Sequence, residues 1–177
     1  METNKIVPQD SKKLNFLERK TIYLICKKLG IDFKNVLIPA KIIDKFGINE
    51  AINIGIRKIV EFFKPDILIL DGLRPKNLNL FAKNNKNQPL KIKAFIKGDQ
   101  KISSIALASI IAKHKRDEFM IKMSKIFTQY DFHIHKGYGT KNHYKKIKIY
   151  GLSPLHRFSF CKNLLTLNQN RESFQNY

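Results

Sequence analysis

Ile67-Leu68-Ile69-Leu70-Asp71-Gly72 is the stretch whose reading decides the fold class. Four apolar residues in an unbroken run are expected of a strand covered on both faces, as in a parallel sheet flanked by helices. The run passes directly into Asp71-Gly72, so a carboxylate stands at the strand's end, where open α/β sheets place their ligand crevice. Upstream, Asn49 can cap a long helix in which Ile52, Ile56, Ile59 and Phe63 share a face, and Pro65 ends it. Downstream, Ile92–Ile96 reads as a second strand, and Ser103–Phe127 as the longest helix. Helix, strand, strand, helix is an α/β alternation.

The segments farther out fit the same scheme. Asn15 with Glu18 is a capping-box pattern, after which Leu17, Leu24, Ile25 and Leu29 recur at helical spacing up to Gly30. Lys34–Ile38 reads as a short strand ended by Pro39, and Ala40–Phe46 as a short helix broken by Gly47. Leu73–Pro89, rich in Asn and Lys, reads as a mobile basic loop, and Thr140–Tyr150 as a further helix. Residues 1–165 are expected to form one domain and 166–177 a polar tail.

Charge bounds the partner. Among 177 residues, 34 Lys plus Arg oppose 14 Asp plus Glu, a formal net charge of +20, while 43% of residues are hydrophobic. A folded chain this basic points to a polyanion, most simply nucleic acid. Lys, Ile and Asn are abundant together, which an AT-rich coding sequence also produces, so charge alone does not assign a function. Cys26 and Cys161 are too few for a disulfide framework or a zinc site. With a polar start and no apolar run of membrane-spanning length, the expectation is a reduced, soluble, cytoplasmic protein with no membrane partner, as a monomer.

Two acids carry the chemistry. Asp71-Gly72 could simply turn the chain. Asp117 lies on a helix face with Ser103, Ala106, Ile110 and Lys113, and Ala106, Ala108 and Ser109 are small enough to let that helix sit close to a sheet. An acid on an inward face needs a partner. One reading is an ion pair with a neighbouring Lys. The sharper one is that Asp71 and Asp117 converge on a magnesium or manganese ion, which prefers hard oxygen ligands. Lys97-Gly98-Asp99-Gln100-Lys101, with Ser103 and Ser104, reads as a phosphate cradle at a helix start, although any capped helix looks similar. In His135-Lys136-Gly137-Tyr138-Gly139-Thr140-Lys141-Asn142-His143, two glycines flank an aromatic that can stack on a base or sugar, with Lys136 and Lys141 meeting phosphates. The plainer reading is a glycine-rich turn with Thr140 as helix cap. His156-Arg157-Phe158-Ser159-Phe160 is another basic, aromatic cluster, and His133, His135 and His143 lack zinc spacing.

Asp10-Ser11-Lys12-Lys13-Leu14, Asp71-Gly72, Lys97–Lys101, Ser104-Ile105-Ala106, Ala108–Lys113, Arg116-Asp117, His135–Thr140 and His156–Phe160 occur in the order and spacing of ribonuclease HII, and the chain resembles that family from about Asp10 to Phe160. The resemblance implies a ribonuclease H-like α/β fold, a mixed sheet flanked by helices, with a C-terminal helical region. It implies an endonuclease that cleaves RNA in RNA–DNA hybrids and at ribonucleotides embedded in DNA, leaving a 5′-phosphate. Asp71 and Asp117 match two of the family's four metal-binding carboxylates, and Tyr138 matches the tyrosine that stacks at the ribonucleotide–deoxyribonucleotide junction. Lys136, Gly137, Gly139, Lys12, Lys97, Ser103, Ser104, Lys113 and Arg157 complete the nucleic-acid-binding set.

The family's other two carboxylates stand on its first strand, in an Asp-Glu-x-Gly-Arg-Gly motif that also grips the ribose 2′-OH; no such run occurs here. The expectation is therefore a sheet lacking its first strands, through a truncated gene model, a late start or a decaying gene. At most one ion would be weakly held where the complete site takes two. The alternatives are a catalytically dead remnant that binds hybrid or duplex, and a basic RNA-binding module of the ribosomal type, which has no use for inward carboxylates.

Overall fold

The computed structural model describes residues 14–73 and 88–162. In chain order the elements are α1 (Phe16–Lys28), α2 (Ala40–Phe63), β1 (Ile67–Asp71), β2 (Lys91–Phe95), α3 (Ser103–Met123), the four-residue α4 (Phe132–His135) and α5 (Lys141–Tyr150), with 3-10 turns at Gly98–Gln100 and Thr128–Tyr130. They divide between two compact units: 14–37, 52–73 and 88–116 in the first, 38–51 and 117–162 in the second.

In the first unit β1 and β2 pair in parallel, Ile67 opposite Lys91 through Asp71 opposite Phe95. Both expected strands are present, β2 one residue earlier than the sequence suggests. Coverage is different. β1 is not closed on both faces: Ile67 and Ile69 are exposed and Leu68 and Leu70 half-buried. A run of four apolar residues gives no alternation from which to read that difference. Lys34–Ile38 forms no strand.

α1 opens on the capping box: Asn15 accepts from the Glu18 N–H, and the Asn15 N–H donates to the Glu18 carboxylate. It closes at Gly30, whose positive φ of 68° suits a residue without a β-carbon. The buried stripe of α1 is Ile22 and Cys26, which form a core with Ile110 and Ile111 of α3. The leucine stripe expected to pack is exposed instead, Leu17 at 68% and Leu24 at 53%. α2 behaves alike: Ala51, Asn53 and Val60 are buried, while Ile52 and Phe63 are exposed. Gly47 (φ 79°, ψ 165°) breaks α2, as its position in the sequence suggests.

The second unit's core is Met120, Tyr130 and Phe132, flanked by Phe119, Phe127 and Leu155. The Tyr130 hydroxyl donates to the carbonyls of Tyr150 and Gly151 at the end of α5, at 3.2 and 2.9 Å. Asp44 accepts from the Phe158 and Ser159 N–H groups and from the Ser159 hydroxyl, capping the helical turn that starts there. The expected basic loop falls almost wholly at 74–87, and the polar tail wholly beyond 162; both lie outside the described residues. Among the described residues no helix is long and apolar enough to cross a membrane.

Candidate functional site

Asp71 is the last residue of β1 and is exposed. The Gly72 N–H closes the ladder onto the Phe95 carbonyl at 2.9 Å, and φ of 78° at Gly72 then turns the chain away. Asp71 is oriented by one hydrogen bond, the Gly98 N–H donating to its Oδ1 at 2.8 Å. Lys97 stands at φ 55°, a conformation that costs a non-glycine residue roughly 1 kcal/mol. A β-carbon on Gly98 would lie 2.6 Å from the Ile105 side chain and 3.3 Å from Asp71 Oδ1, so the motif's glycine is set by close approach. The neighbouring Asp99 is buried, a feature the sequence reading did not single out.

The expected phosphate cradle is largely committed within the chain. Besides the Gly98 N–H, those of Gln100, Lys101 and Ile102 donate to the Lys97 or Gly98 carbonyls. What stays open at this corner is side chain: Lys97, Ser103 and Ser104 are all exposed.

α3 delivers Asp117 as the helical spacing requires. Asp117 is 3% exposed, with Ala106 and Ile110 buried on the same helix. Ser103 is exposed and Lys113 half-buried, and Ala108 faces outward, so it is not among the small residues that permit close packing. His114, to which the sequence alone assigns no role, is buried between Phe16 and Tyr23, ring centroids 5.5 and 4.8 Å away. Asp71 belongs to the first unit and Asp117 to the second. Among the described residues no group of three or more His, Cys, Asp or Glu is placed so that it could hold a metal ion.

The second unit holds the turn from Lys136 to Thr140. Lys136 (φ 51°) and Gly137 (φ 77°) are both left-handed, and they swing Tyr138 outward, its side chain 56% exposed. Lys136 is folded back: its ammonium donates to the carbonyls of His133 and Ile134, at the end of α4. Gly139 is fixed by Tyr144, whose hydroxyl would lie 2.3 Å from a β-carbon there. Thr140 caps α5 by accepting from the His143 N–H at 3.2 Å. Arg157 lies over the Phe160 ring at 3.9 Å. Lys12 lies outside the described residues.

Beneath the turn are three histidines that spacing alone did not assign. His135 and His143 stack at 4.2 Å, and His143 meets His156, Nε2 to Nε2, at 2.9 Å. Phe132 packs against all three. Their surroundings fix the tautomers. His135 Nδ1 accepts from the Gly137 N–H (3.1 Å), so its Nε2 carries the hydrogen given to the Tyr130 carbonyl (2.7 Å). His143 Nδ1 faces the Tyr138 carbonyl (2.9 Å) and must donate, leaving Nε2 to accept. His156 Nδ1 accepts from the Ser153 N–H (2.8 Å), so its Nε2–H supplies that bond. Burial holds all three below the usual histidine range, His156 most, pushed down to about 4 by burial and then by His143.

Solved structures resemble this arrangement of elements. The ribonuclease HII of Archaeoglobus fulgidus, determined in complex with PCNA, superposes with a TM-score of 0.71 at 24% identity over 91% of this chain and 82% of that one. The ribonuclease H2 of Pyrococcus horikoshii gives 0.65 at 22% identity over 98% and 84%. The fold is thus the α/β fold of the type 2 ribonucleases H. Residues 3–163 match the family model of ribonuclease HII. The ribonuclease HII of Caldicellulosiruptor bescii is 38% identical over 90% of this chain and 73% of its own length. That of Clostridioides difficile is 36% identical over 88% of this chain and 58% of its own length. The chain belongs to the ribonuclease HII family.

Proposed function

We propose that the chain serves endonucleolytic cleavage of RNA in RNA–DNA hybrids and at ribonucleotides embedded in DNA, by metal-assisted hydrolysis leaving a 5′-phosphate. The observation that carries this reading is the pair of acids where the family motif requires them: Asp71 at a strand end, held by the Gly98 N–H, and Asp117 on the buried face of α3. Both offer hard carboxylate oxygens, which fit magnesium or manganese in kind. Either one can serve as a ligand to an ion otherwise completed by water and phosphate. Such an ion would polarise the attacked phosphate and acidify a bound water. The protein's own contribution is to orient Asp71 through Gly98, to present Tyr138 to the sugar and base at the junction, and to line the duplex path with Lys97, Ser103, Ser104, Lys113 and Arg157. Lys136 serves that path through the turn it stabilises.

A second reading is favoured by one observation: no Asp-Glu-x-Gly-Arg-Gly run occurs in the 177 residues. On it, the polypeptide binds hybrid or duplex without cutting. Cleavage and binding of a DNA duplex containing one ribonucleotide, with magnesium and with manganese, separate the two. Junction-specific cutting that disappears in Asp71→Asn and Asp117→Asn supports the nuclease. Binding that prefers the junction, with no cutting by the native chain or the variants, supports the second reading. Neither binding preference nor cutting overturns both.

A further inference from the structure

The turn that presents Tyr138 is held from below at two points, and both holders are buried histidines. On one side the Gly137 N–H donates to His135 Nδ1; on the other the Tyr138 carbonyl accepts from His143 Nδ1–H. His143 is in turn fixed by His156, and His156 by the Ser153 N–H, with the Ser153 hydroxyl also 2.9 Å from His156 Nδ1. A ring with a free hydrogen-bonding edge could flip, but each of these rings has both nitrogens engaged.

We propose that His135, His143 and His156 are positioning residues for Tyr138, a neutral relay that fixes the peptide groups on either side of it and releases them when the relay takes up a proton. The proposal rests on the reading of Tyr138 as the residue that meets the ribonucleotide junction. In each ring the one unprotonated nitrogen faces an N–H: that of Gly137 for His135, Nε2–H of His156 for His143, and that of Ser153 for His156. A proton added to His135 or His143 turns an acceptor into a donor pointed at another donor, and that bond is lost, whereas on His156 the Ser153 hydroxyl can accept in place of the lost N–H contact.

Among the charged groups around the relay, Asp131 favours a positive charge on His135. Asp131, before α4, is engaged by Lys146 of α5 at 3.1 Å and by Asn142 at 3.4 Å. His133 and Lys136, flanking His135, disfavour a further positive charge there. Tyr130 presents its carbonyl to His135 and its ring to His156, and Arg157 is laid over Phe160. The depressed proton affinity of all three histidines agrees with this arrangement.

The test has two parts, on the full 177-residue chain. Long-range 15N–1H NMR of the imidazoles at about pH 7.5 should show His135 and His156 as Nε2–H and His143 as Nδ1–H. Any other assignment, or a charged ring among the three, overturns the relay. The second part is the ratio of affinities for a duplex with one embedded ribonucleotide and for the all-DNA duplex. His143→Ala should cut that preference about tenfold, the scale of one lost buried hydrogen bond, with all-DNA affinity changed less than about twofold. His143→Asn, whose amide can still donate to the Tyr138 carbonyl, should restore most of it. In the native chain the preference should hold at about pH 7.5 and fall as the pH drops below the usual histidine range towards about 4, where His156 charges, even as added positive charge strengthens binding to all-DNA duplex. A preference that Tyr138→Ala abolishes but His143→Ala and acid leave intact refutes the relay alone. A preference unchanged in Tyr138→Ala removes the reading of Tyr138, and this proposal with it, whatever the tautomers.

Discussion

Gly139 shows how a motif residue can have two reasons at once. Beside an aromatic, a glycine reads as room for a ligand's approach. The structure adds a tighter constraint, because the space a β-carbon would take is already held by the Tyr144 hydroxyl. Gly139→Ala is therefore expected to push the 41%-exposed Tyr144 ring aside and to destabilise the chain by no more than about 1 kcal/mol, below the scale of an overpacked core. Urea unfolding should show it, and Tyr144→Ala in the same chain should recover most of the loss; a full loss in the double variant contradicts the contact. At this scale the acids were the legible part: Asp71 at a strand end and Asp117 on a helix face follow from periodicity. The histidine relay was not legible. His135 and His143 are eight residues apart and His156 thirteen further on, and only the return of the chain over Phe132 stacks their rings.

The elements were legible in kind and misread in direction. The capping box, the stops at Gly30 and Gly47, the strand ending on Asp71 and the Thr140 cap all stand where local chemistry puts them, because each is decided within a few residues. Which side of a helix packs is decided by what lies across from it. On α1 the sequence displays a leucine stripe, yet Ile22 and Cys26 meet Ile110 and Ile111, while Leu17, Leu24 and Leu29 face outward. The two readings differ in a measurable way. Ile22→Ala, which empties a packed site, is expected to cost about 2–4 kcal/mol, and Leu24→Ala to stay within about 0.5 kcal/mol. Equal losses on denaturant unfolding would return the core to the leucine stripe. The same limit explains β1, whose apolar run specified a strand without specifying its cover.

For the whole molecule, charge and proton uptake act in one direction. A chain with a formal charge of +20 already repels itself, and every further proton adds to that. His135, His143 and His156 all favour the neutral state in the fold, through burial first. Above the ordinary histidine pKa of about 6.5 both folded and unfolded chains leave them neutral, and their stabilisation is fully present. As pH falls from there, the unfolded chain takes up protons that the folded chain refuses, so stability drops until His156 itself charges at about 4. Asp44 and Asp131 are held low by the Ser159 hydroxyl and by Lys146 respectively, so their contribution is lost only at still lower pH. Acid unfolding should thus come in two stages, with the first belonging to the relay. For His156, which keeps some contact with solvent, the first stage is on the order of 1–2 kcal/mol. Thermal midpoints measured between about pH 7.5 and pH 4 should fall steadily in the native chain and much less in His156→Gln, which cannot charge. A variant profile as steep as the native one would take His156 alone out of the first stage. A native profile flat across that window would show that the three rings accept protons without disturbing the fold, and the turn carrying Tyr138 would then need another source of its rigidity.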